Sequence, residues 1–226
     1  MVEISGVTAE SYGLDLCAEA GAAADSDARA LLDRIRMTRE DQQLSLTVPP
    51  WSQAQMAGAS LQIQAPADAP VALSGTYTAM RVVGISAPVH LSTTHARISV
   101  FDTTGEVEAR ANPGIIDFSG ARGRVRLEAD WEINLELQRP EFDGTLDAEA
   151  VGPVRVLLPA GFKTGFQVEV RNKGAFVCRV DIRDQIAYRK EKGRAVFTFG
   201  SGPPALRLIS KDGPVVMDNR ESVPEY

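Results

Sequence analysis

Two glutamates, Glu108 and Glu128, have the spacing that could perform chemistry in this sequence. Paired carboxyl groups cleave glycosidic bonds when one acts as a general acid and the other activates water. On adjacent strands of one sheet, the two residues would be diagonal neighbours about 7–8 Å apart. Inverting glycosidases use a separation of roughly 6.5–9.5 Å. The same stacking places Glu108 beside Arg126. It also places Arg110 beside Glu128, so we interpret all four as structural ion pairs and expect no catalytic residue.

Two histidines and two cysteines are the other candidates for metal binding or nucleophilic chemistry. His90 and His95 lie across a predicted strand–turn junction, and the sequence offers them no evident third ligand. Cys17 and Cys178 lack both a C-x-x-C partner and a histidine signature. In the strand alternation Cys178 falls at an inward-facing position, which suits a small buried apolar residue. We therefore predict no metal site, no cofactor site and no catalytic nucleophile.

Charge and motif content exclude several classes of partner. The 226 residues carry a formal net charge of −6, which argues against a nucleic-acid surface. No Walker loop or G-x-G-x-x-G follows a predicted strand, so no nucleotide site is expected. No apolar run approaches the roughly 20 residues that span a bilayer. The N-terminal residues lack the basic and apolar regions of a secretory signal, which predicts either a cytoplasmic location or a true N-terminus that lies upstream of this sequence.

A nine-residue repeat occupies the middle of the chain. One position of the repeat and the position two residues later are always apolar, and the position between them is polar in six of seven units. The first of these positions is occupied by Val71, Met80, Val89, Ile98, Val107, Ile116 and Val125. Because residues i and i+2 share a face of a strand but not of a helix, each unit is predicted to be a short strand followed by a turn.

The units can stack as an antiparallel meander or wind as a solenoid, and the loop lengths permit both. Residues eighteen apart form matched columns, with valine in one and larger apolar residues in the other. Such columns favour a solenoid, in which each rung repeats the last. Hexapeptide helices do not fit the period, and the turns lack the carboxylates of calcium-binding nonapeptide rolls. We predict a single-domain, all-β, right-handed β-solenoid (β-helix or β-roll) with about nine residues per strand–turn unit.

The segments that flank the repeat give further predictions. The alternating residues Trp131, Ile133, Leu135 and Leu137 continue it one residue out of phase and are predicted to face inward. Residues 138–141 are expected to protrude as a loop, and 189–192 to form the solvated tip of a hairpin. Residues 35–37 and 44–48 suggest a hairpin, although residues 26–36 also fit a helix capped at Ser26. The predicted domains are a poorly structured segment 1–30, a solenoid 31–218 and a C-terminal tail 219–226.

With these strands in place, the chain resembles the bacterial putative-adhesin family, a set of β-solenoid domains without an established common activity. Three stretches carry the resemblance: Leu61–Pro66 before Val71–Gly75, Val154–Pro159 before Gly161–Val170, and Phe199–Gly202 before Leu206–Gly213. The resemblance spans residues 31–218. It implies a right-handed β-helical or β-roll body and a setting at the cell envelope or surface, and it supplies no catalytic residues.

Three functions follow as expectations. The first is a non-enzymatic, adhesion-like or structural module that presents a repetitive face or an open end to a protein or glycan. The second is a self-assembling scaffold similar to bactofilins, which associates through the unpaired strands at the solenoid ends. The third is a carbohydrate-active β-helix enzyme that uses Glu108 and Glu128. Aromatic residues make up only 6% of the chain, which disfavours the aromatic-lined groove that the third requires.

Overall fold

The computed structural model describes residues 1–8, 12–40, 43–49 and 55–220. Over these residues the chain forms β-strands, one α-helix and a short 3-10 helix, Arg183–Gln185, so it is all-β as predicted. The elements before the repeat are β1 (Val2–Val7), β2 (Gly13–Ala22), α1 (Asp25–Leu32), β3 (Arg36–Glu40), β4 (Gln43–Thr47) and β5 (Gln55–Pro66). The repeat contains β6 (Val71–Thr76), β7 (Met80–Val83), β8 (Val89–Thr94), β9 (Ala96–Phe101), β10 (Glu106–Ala111), β11 (Gly114–Gly120) and β12 (Arg122–Ala129). The rest are β13 (Glu132–Leu137), β14 (Asp143–Ala150), β15 (Val154–Leu158), β16 (Phe166–Arg171), β17 (Phe176–Cys178), β18 (Ala187–Glu191), β19 (Arg194–Phe199), β20 (Leu206–Ser210) and β21 (Val215–Asn219).

Two large sheets contain all the strands except β3 and β4. The ten-stranded sheet has the order β17-β21-β15-β13-β11-β9-β7-β1-β5-β2, and the nine-stranded sheet has the order β18-β19-β16-β20-β14-β12-β10-β8-β6. From β6 to β15, successive strands alternate between the two sheets, and each strand pairs in parallel with the strand two places along the chain. The antiparallel pairs β2–β5, β16–β19 and β18–β19 lie towards the ends of these sheets.

The eighteen-residue stacking predicted from the sequence is confirmed by the strand register. Val71 pairs with Val89, Val89 with Val107, and Val107 with Val125 in the nine-stranded sheet. In the ten-stranded sheet Met80, Ile98 and Ile116 pair in the same way. All of these side chains are buried. Ile116 then pairs with Ile133, which confirms the predicted one-residue slip.

The core lies between the inward faces of the two sheets. Alternate residues of each strand point into it, because successive side chains of a strand leave opposite faces. The largest fully buried side chains belong to Phe118, Phe166, Ile85, Ile98, Ile116, Leu127, Ile133, Leu135, Leu137, Leu146, Leu158 and Leu206.

Trp131 does not face the core, so its predicted inward orientation is wrong. Its side chain is 53% exposed. The strand that follows begins at Glu132, and the backbone N–H of Trp131 donates to the oxygen of Gly114 at the corner between strands. The alternation therefore starts one residue later than the sequence pattern suggested, and Ile133 is the first inward residue of β13.

The first thirty residues also differ from the sequence-based expectation, since they contain two strands and most of a helix. Strand β1 lies inside the ten-stranded sheet, paired in parallel with β5 on one side and β7 on the other. Its Ile4 side chain is only 4% exposed. Both partners of β1 are distant in sequence, at Leu61 and Met80 for Val2, so a local pattern could not reveal the strand.

The segment between β2 and β5 contains both the helix and the hairpin that its sequence pattern suggested. Helix α1 ends at Leu32, and the predicted hairpin follows as the antiparallel pair β3–β4. The residue before the helix is Ala24, so Ser26 lies inside the first turn and does not cap it. Helix α1 packs against β2, with Leu31 buried and Ile35 buried just beyond it. Within the described ranges, no helix has the length and apolar character needed to cross a bilayer.

Glycines allow the chain to turn closely at the corners. A Cβ atom added to Gly123 would lie 2.5 Å from the oxygen of Gly105, and one added to Gly144 would collide with the oxygen of Gly123. Gly123 and Gly144 also have φ of +120° and +135°, which residues with a side chain rarely adopt. The backbones of neighbouring strands therefore approach each other here more closely than any other residue would allow.

Candidate functional site

The outward face of the nine-stranded sheet carries two neighbouring columns of polar side chains. The register places His90, Glu108, Arg126 and Asp147 in one column. Ser92, Arg110, Glu128 and Glu149 form the other. The columns arise because the polar residues of the repeat occupy the outward phase of every strand. We call them the ion-pair columns.

Glu108 and Glu128 both contact guanidinium groups. Arg110 donates from Nη2 to Glu108 Oε1 at 2.8 Å, and Arg110 Nε lies 3.6 Å from Glu128 Oε2. Arg126 donates from Nη2 and Nε to Glu128 Oε1 at 2.7 and 3.0 Å. The hydrogen bond and the charge of Glu128 raise the pKa of Arg126. The predicted register is confirmed, but Arg126 bonds to Glu128 on its own strand instead of bonding across to Glu108.

Both carboxylates of the candidate pair have basic side chains as neighbours. An inverting glycosidase keeps one carboxyl protonated as the acid and leaves the other charged as the base. Glu108 instead has Arg110 on one oxygen, and His90 Nδ1 lies 3.4 Å from the other. Glu128 has Arg126 and Arg110 as its neighbours. The geometry is that of mutually neutralised surface charges.

The two histidines have separate surroundings. His90 extends from β8 towards Glu108, whereas His95 follows β8 at the corner and stacks on Tyr77. Among the residues that the structure describes, no group of three or more His, Cys, Asp or Glu side chains is placed to hold a metal ion.

The two cysteines differ in burial and are far apart in the fold. Cys17 is exposed on β2, at one edge of the ten-stranded sheet, and Cys178 is half-buried on β17, at the opposite edge. Cys178 packs against the core beside Phe176 and near the buried Val180, as its phase predicted. Burial raises the pKa of the Cys178 thiol, which lowers the fraction of reactive thiolate.

The charged segment 189–192 lies where the sequence placed it, in the β18–β19 hairpin. Arg189 contacts Glu191 at 2.6 Å, and Arg194 pairs with both Glu191 and Glu169. Glu169 is buried, and Arg171 donates to it at 2.6 Å. These contacts attach the hairpin to β16. The segment therefore has a structural role, although its outer side chains remain exposed.

A group of exposed rings was missed by the sequence analysis. Tyr77 and His95 directly follow β6 and β8, which pair in register, and Pro113 directly precedes β11. Trp131 directly precedes β13, and its backbone N–H donates to the oxygen of Gly114, so it is offset from Pro113. We call Tyr77, His95, Pro113 and Trp131 the ring ladder. These residues recur in the sequence at intervals of eighteen, but the sequence analysis predicted Trp131 to face the core.

The side chains of the ring ladder are largely exposed, and two of the rings stack on each other. Tyr77 is 75% and Trp131 is 53% exposed, His95 is exposed and Pro113 is half-buried. The rings of Tyr77 and His95 stack with centroids 4.8 Å apart and planes inclined by 27°. Backbone hydrogen bonds hold these positions, since Tyr77 N–H donates to the oxygen of Thr94 and His95 N–H donates to the oxygen of Pro113.

Comparisons with known proteins yield one distant structural similarity and no family. No protein-family model matches the chain, and no curated protein matches it. A solved structure from Clostridium sporogenes, named as a putative cell adhesion protein, is similar over 97% of this chain and 87% of its own. The identity is 11% and the TM-score 0.36, so this similarity carries no argument about function.

Proposed function

We propose that the chain is a non-enzymatic β-solenoid module that binds a partner through its outward surface, in an adhesion-like or structural role. The proposal includes a right-handed winding and a relationship to the bacterial putative-adhesin domains. The alternation of β6 to β15 between two sheets, with parallel pairing to the strand two places along, supports a wound body. The strand–proline steps at Pro66 and Pro159 support the relationship, since β5 ends at the first and β15 ends just before the second.

The observation that carries the function is the mutual neutralisation of the ion-pair columns. A catalytic centre needs groups whose protonation is set for a reaction, and such groups are normally held in a cleft. Here the carboxylates of Glu108 and Glu128 lie on an open sheet face and contact Arg110 and Arg126. A flat, open face of this kind can contact a partner over a large area, as a binding module must.

Two measurements test this proposal. Labelled protein is titrated onto whole bacterial cells and isolated envelopes, where we expect saturable binding that unlabelled protein displaces. In parallel, wild type and E108Q/E128Q are incubated with a panel of polysaccharides, and new reducing ends are counted. We expect none from either protein. Absence of saturable binding refutes the binding role, and reducing ends that the double variant no longer releases would establish the carbohydrate-active alternative.

A self-assembling scaffold is the second candidate, and strand β6 favours it. Strand β6 forms one edge of the nine-stranded sheet, and its sequence VALSGT carries no charge. Uncharged edge strands are templates for pairing with another chain. The opposite edge, β18, carries Arg189, Lys190 and Glu191, which is how natural proteins block such pairing. Light scattering after size exclusion tests the candidate: a monomer at all concentrations removes it, and a dimer that S74K dissociates supports it.

A further inference from the structure

Strands β2 and β18 are the most exposed of the four strands that end the two large sheets. All residues from 187 to 190 in β18 are exposed. In β2, residues 13–19 are exposed except for Leu16. The other end strands, β6 and β17, are more covered. No described strand pairs with the outer edge of β2 or of β18, so their backbone N–H and C=O groups can pair with another chain.

These two strands have opposite charge. Strand β2 carries two carboxylates and no basic residue. Strand β18 carries Arg189 and Lys190 against one glutamate, and Lys192 follows it in the hairpin turn. The surrounding sequence has the same contrast: ten acidic and four basic residues lie in 1–70, and six acidic and twelve basic residues lie in 161–220. The body therefore has an acidic end and a basic end.

The charges on the two strands are not neutralised within the described part of the molecule. Asp15 and Glu19 make no ion pair with another described residue, and neither do Lys190 and Lys192. A groove of about 330 Å³ lies beside β2, and Glu3 and Asp15 are among the residues that line it. The acidic edge thus offers space and negative charge to a cationic side chain of another molecule.

Exposed apolar side chains accompany the same two strands. Leu14 on β2 is 47% exposed, and Tyr188 on β18 is 58% exposed. Leu14 pairs in register with Ile63, and Tyr188 stacks on Phe197 with ring centroids 5.0 Å apart. Ile63 and Phe197 both pack against the core. Each strand therefore extends the core side of its sheet beyond the part that the molecule covers by itself.

Like charge disfavours the symmetric ways of joining these edges. An antiparallel pair of β2 strands centred on Cys17 would place Asp15 opposite Glu19 of the second copy. Like charges directly opposite each other on paired strands are destabilising. Two β18 strands would likewise bring Arg189 and Lys190 of both copies together. Charges that reject an uncharged or like-charged edge favour an edge of opposite charge, so β2 and β18 are each other's complement.

We infer that a second copy of this chain is a partner of these edges, and that β2 of one copy pairs with β18 of the next. The inference goes beyond the proposed binding function, and it uses different strands from the β6 contact of the scaffold candidate. Because the two joined surfaces differ, each added copy leaves one β2 and one β18 unpaired. Association is therefore open-ended.

Charge reversal tests the contact in the whole chain. D15K/E19K gives β2 a basic edge, and K190E/K192E gives β18 an acidic one. The melting temperatures should stay at the wild-type value, since none of the four side chains has an ion pair to lose among the described residues. Light scattering and sedimentation over a concentration series should show growing oligomers of the wild type at about 50 mM NaCl, and fewer at about 1 M. Each variant alone should associate about tenfold more weakly or less.

An equimolar mixture of the two variants gives the sharper test. The basic β2 of one variant meets the acidic β18 of the other, and their unaltered edges also match, so association should return. E106K/E141K and R122E/R139E are the controls, because they change the net charge by the same amounts at exposed positions away from both edges. These controls, and S74K on β6, should associate as the wild type does.

A carbodiimide cross-link locates the contact in the wild type, because it joins a carboxylate directly to an amine. Strands β2 and β18 lie at opposite ends of the body, on the order of 40 Å apart. A peptide that links Asp15 or Glu19 to Lys190 or Lys192 must therefore come from two copies. We expect this peptide in the oligomers, and this measurement does not depend on the folding of any variant.

Three results would overturn the inference: a wild type that is monomeric at every concentration, association that survives both charge reversals, or folded variants that do not associate when mixed. A closed dimer that S74K dissociates would assign the contact to β6 and also overturn it. Saturable binding of the monomer to cells would leave the proposed function intact in each case. Oligomers that carry the expected cross-link but do not bind cells would support the inference and refute the binding role alone.

Discussion

Ile116 lies directly over Ile98 on adjacent parallel strands, and neither side chain exposes any surface. Truncation of a fully buried isoleucine removes its transfer free energy and leaves a cavity. I116A is therefore expected to lower the free energy of unfolding by about 2–5 kcal/mol, measured by denaturant titration. The control is S92A on the outward face of β8, an exposed position that is expected to change it by less than about 0.5 kcal/mol. Equal effects of the two substitutions would contradict the assigned inward and outward phases.

The close approach of backbones at Gly144 predicts a large effect of a single methyl group. G144A would place Cβ against the backbone oxygen of Gly123 at a φ of +135°. Gly161 also has a positive φ, +69°, but no atom lies within 4 Å of its added Cβ. We expect G161A to cost about 1 kcal/mol from conformation alone. G144A should cost clearly more, and comparable melting temperatures for the two variants would refute the steric contact.

The two thiols should react at different rates. Cys17 is exposed, whereas burial raises the pKa of Cys178 and limits access to it. With a disulfide reagent at pH 8, we expect one thiol to react rapidly in the native protein and both to react after denaturation. C17S should abolish the rapid phase, and C178S should leave it unchanged. A rapid phase that persists in C17S would place the reactive thiol on β17 instead.

Glu149 predicts a pH dependence of stability. Lys211 lies 2.6 Å from its carboxylate and lowers the pKa of Glu149 in the folded state. A lowered pKa means that the stabilisation is present above the usual value of 4.5 and is lost as the pH falls through the folded value. Because both side chains are about 40% exposed, E149Q should reduce the free energy of unfolding by less than about 1 kcal/mol at pH 7.

The pH dependence of the free energy of unfolding distinguishes the loss of the Glu149–Lys211 ion pair from a general effect of the substitution. The difference between wild type and E149Q should diminish below pH 4.5, and adding K211M to E149Q should cost nothing further. A difference that is constant down to pH 2 would mean that Glu149 acts through packing and not through its charge.

The sequence predicted the parts of this fold in which pairing is local. The columns through Val89 and Val107 were visible because each strand pairs with the strand two places along the chain, at a constant interval of eighteen residues. Strand β1 escaped detection because its partners in β5 and β7 are remote and its side-chain pattern is short. Trp131 was placed in the core because strand alternation does not show where a strand begins.

The ring ladder shows a second limit of what can be predicted from the sequence. Composition suggested that aromatic residues are too few for a glycan surface, since they form 6% of the chain. Their arrangement was not visible in the composition: Tyr77 and His95 stack on each other because each directly follows one of two strands that pair in register, β6 and β8. A search of the corner positions with the same period as the core would have found them. The positive φ of Tyr77 and His95, in contrast, has no sequence signal.

Because β1 lies between β5 and β7, and not at a sheet edge, the N-terminal end of this body is suited to bearing mechanical load. A force applied at Met1 along the strand direction would act in shear on both rows of hydrogen bonds at once. At an edge strand pulled sideways, the bonds would instead open one after another. Pulling the N-terminus away along this direction would therefore have to break the pairing of β1 with β5 and with β7 together.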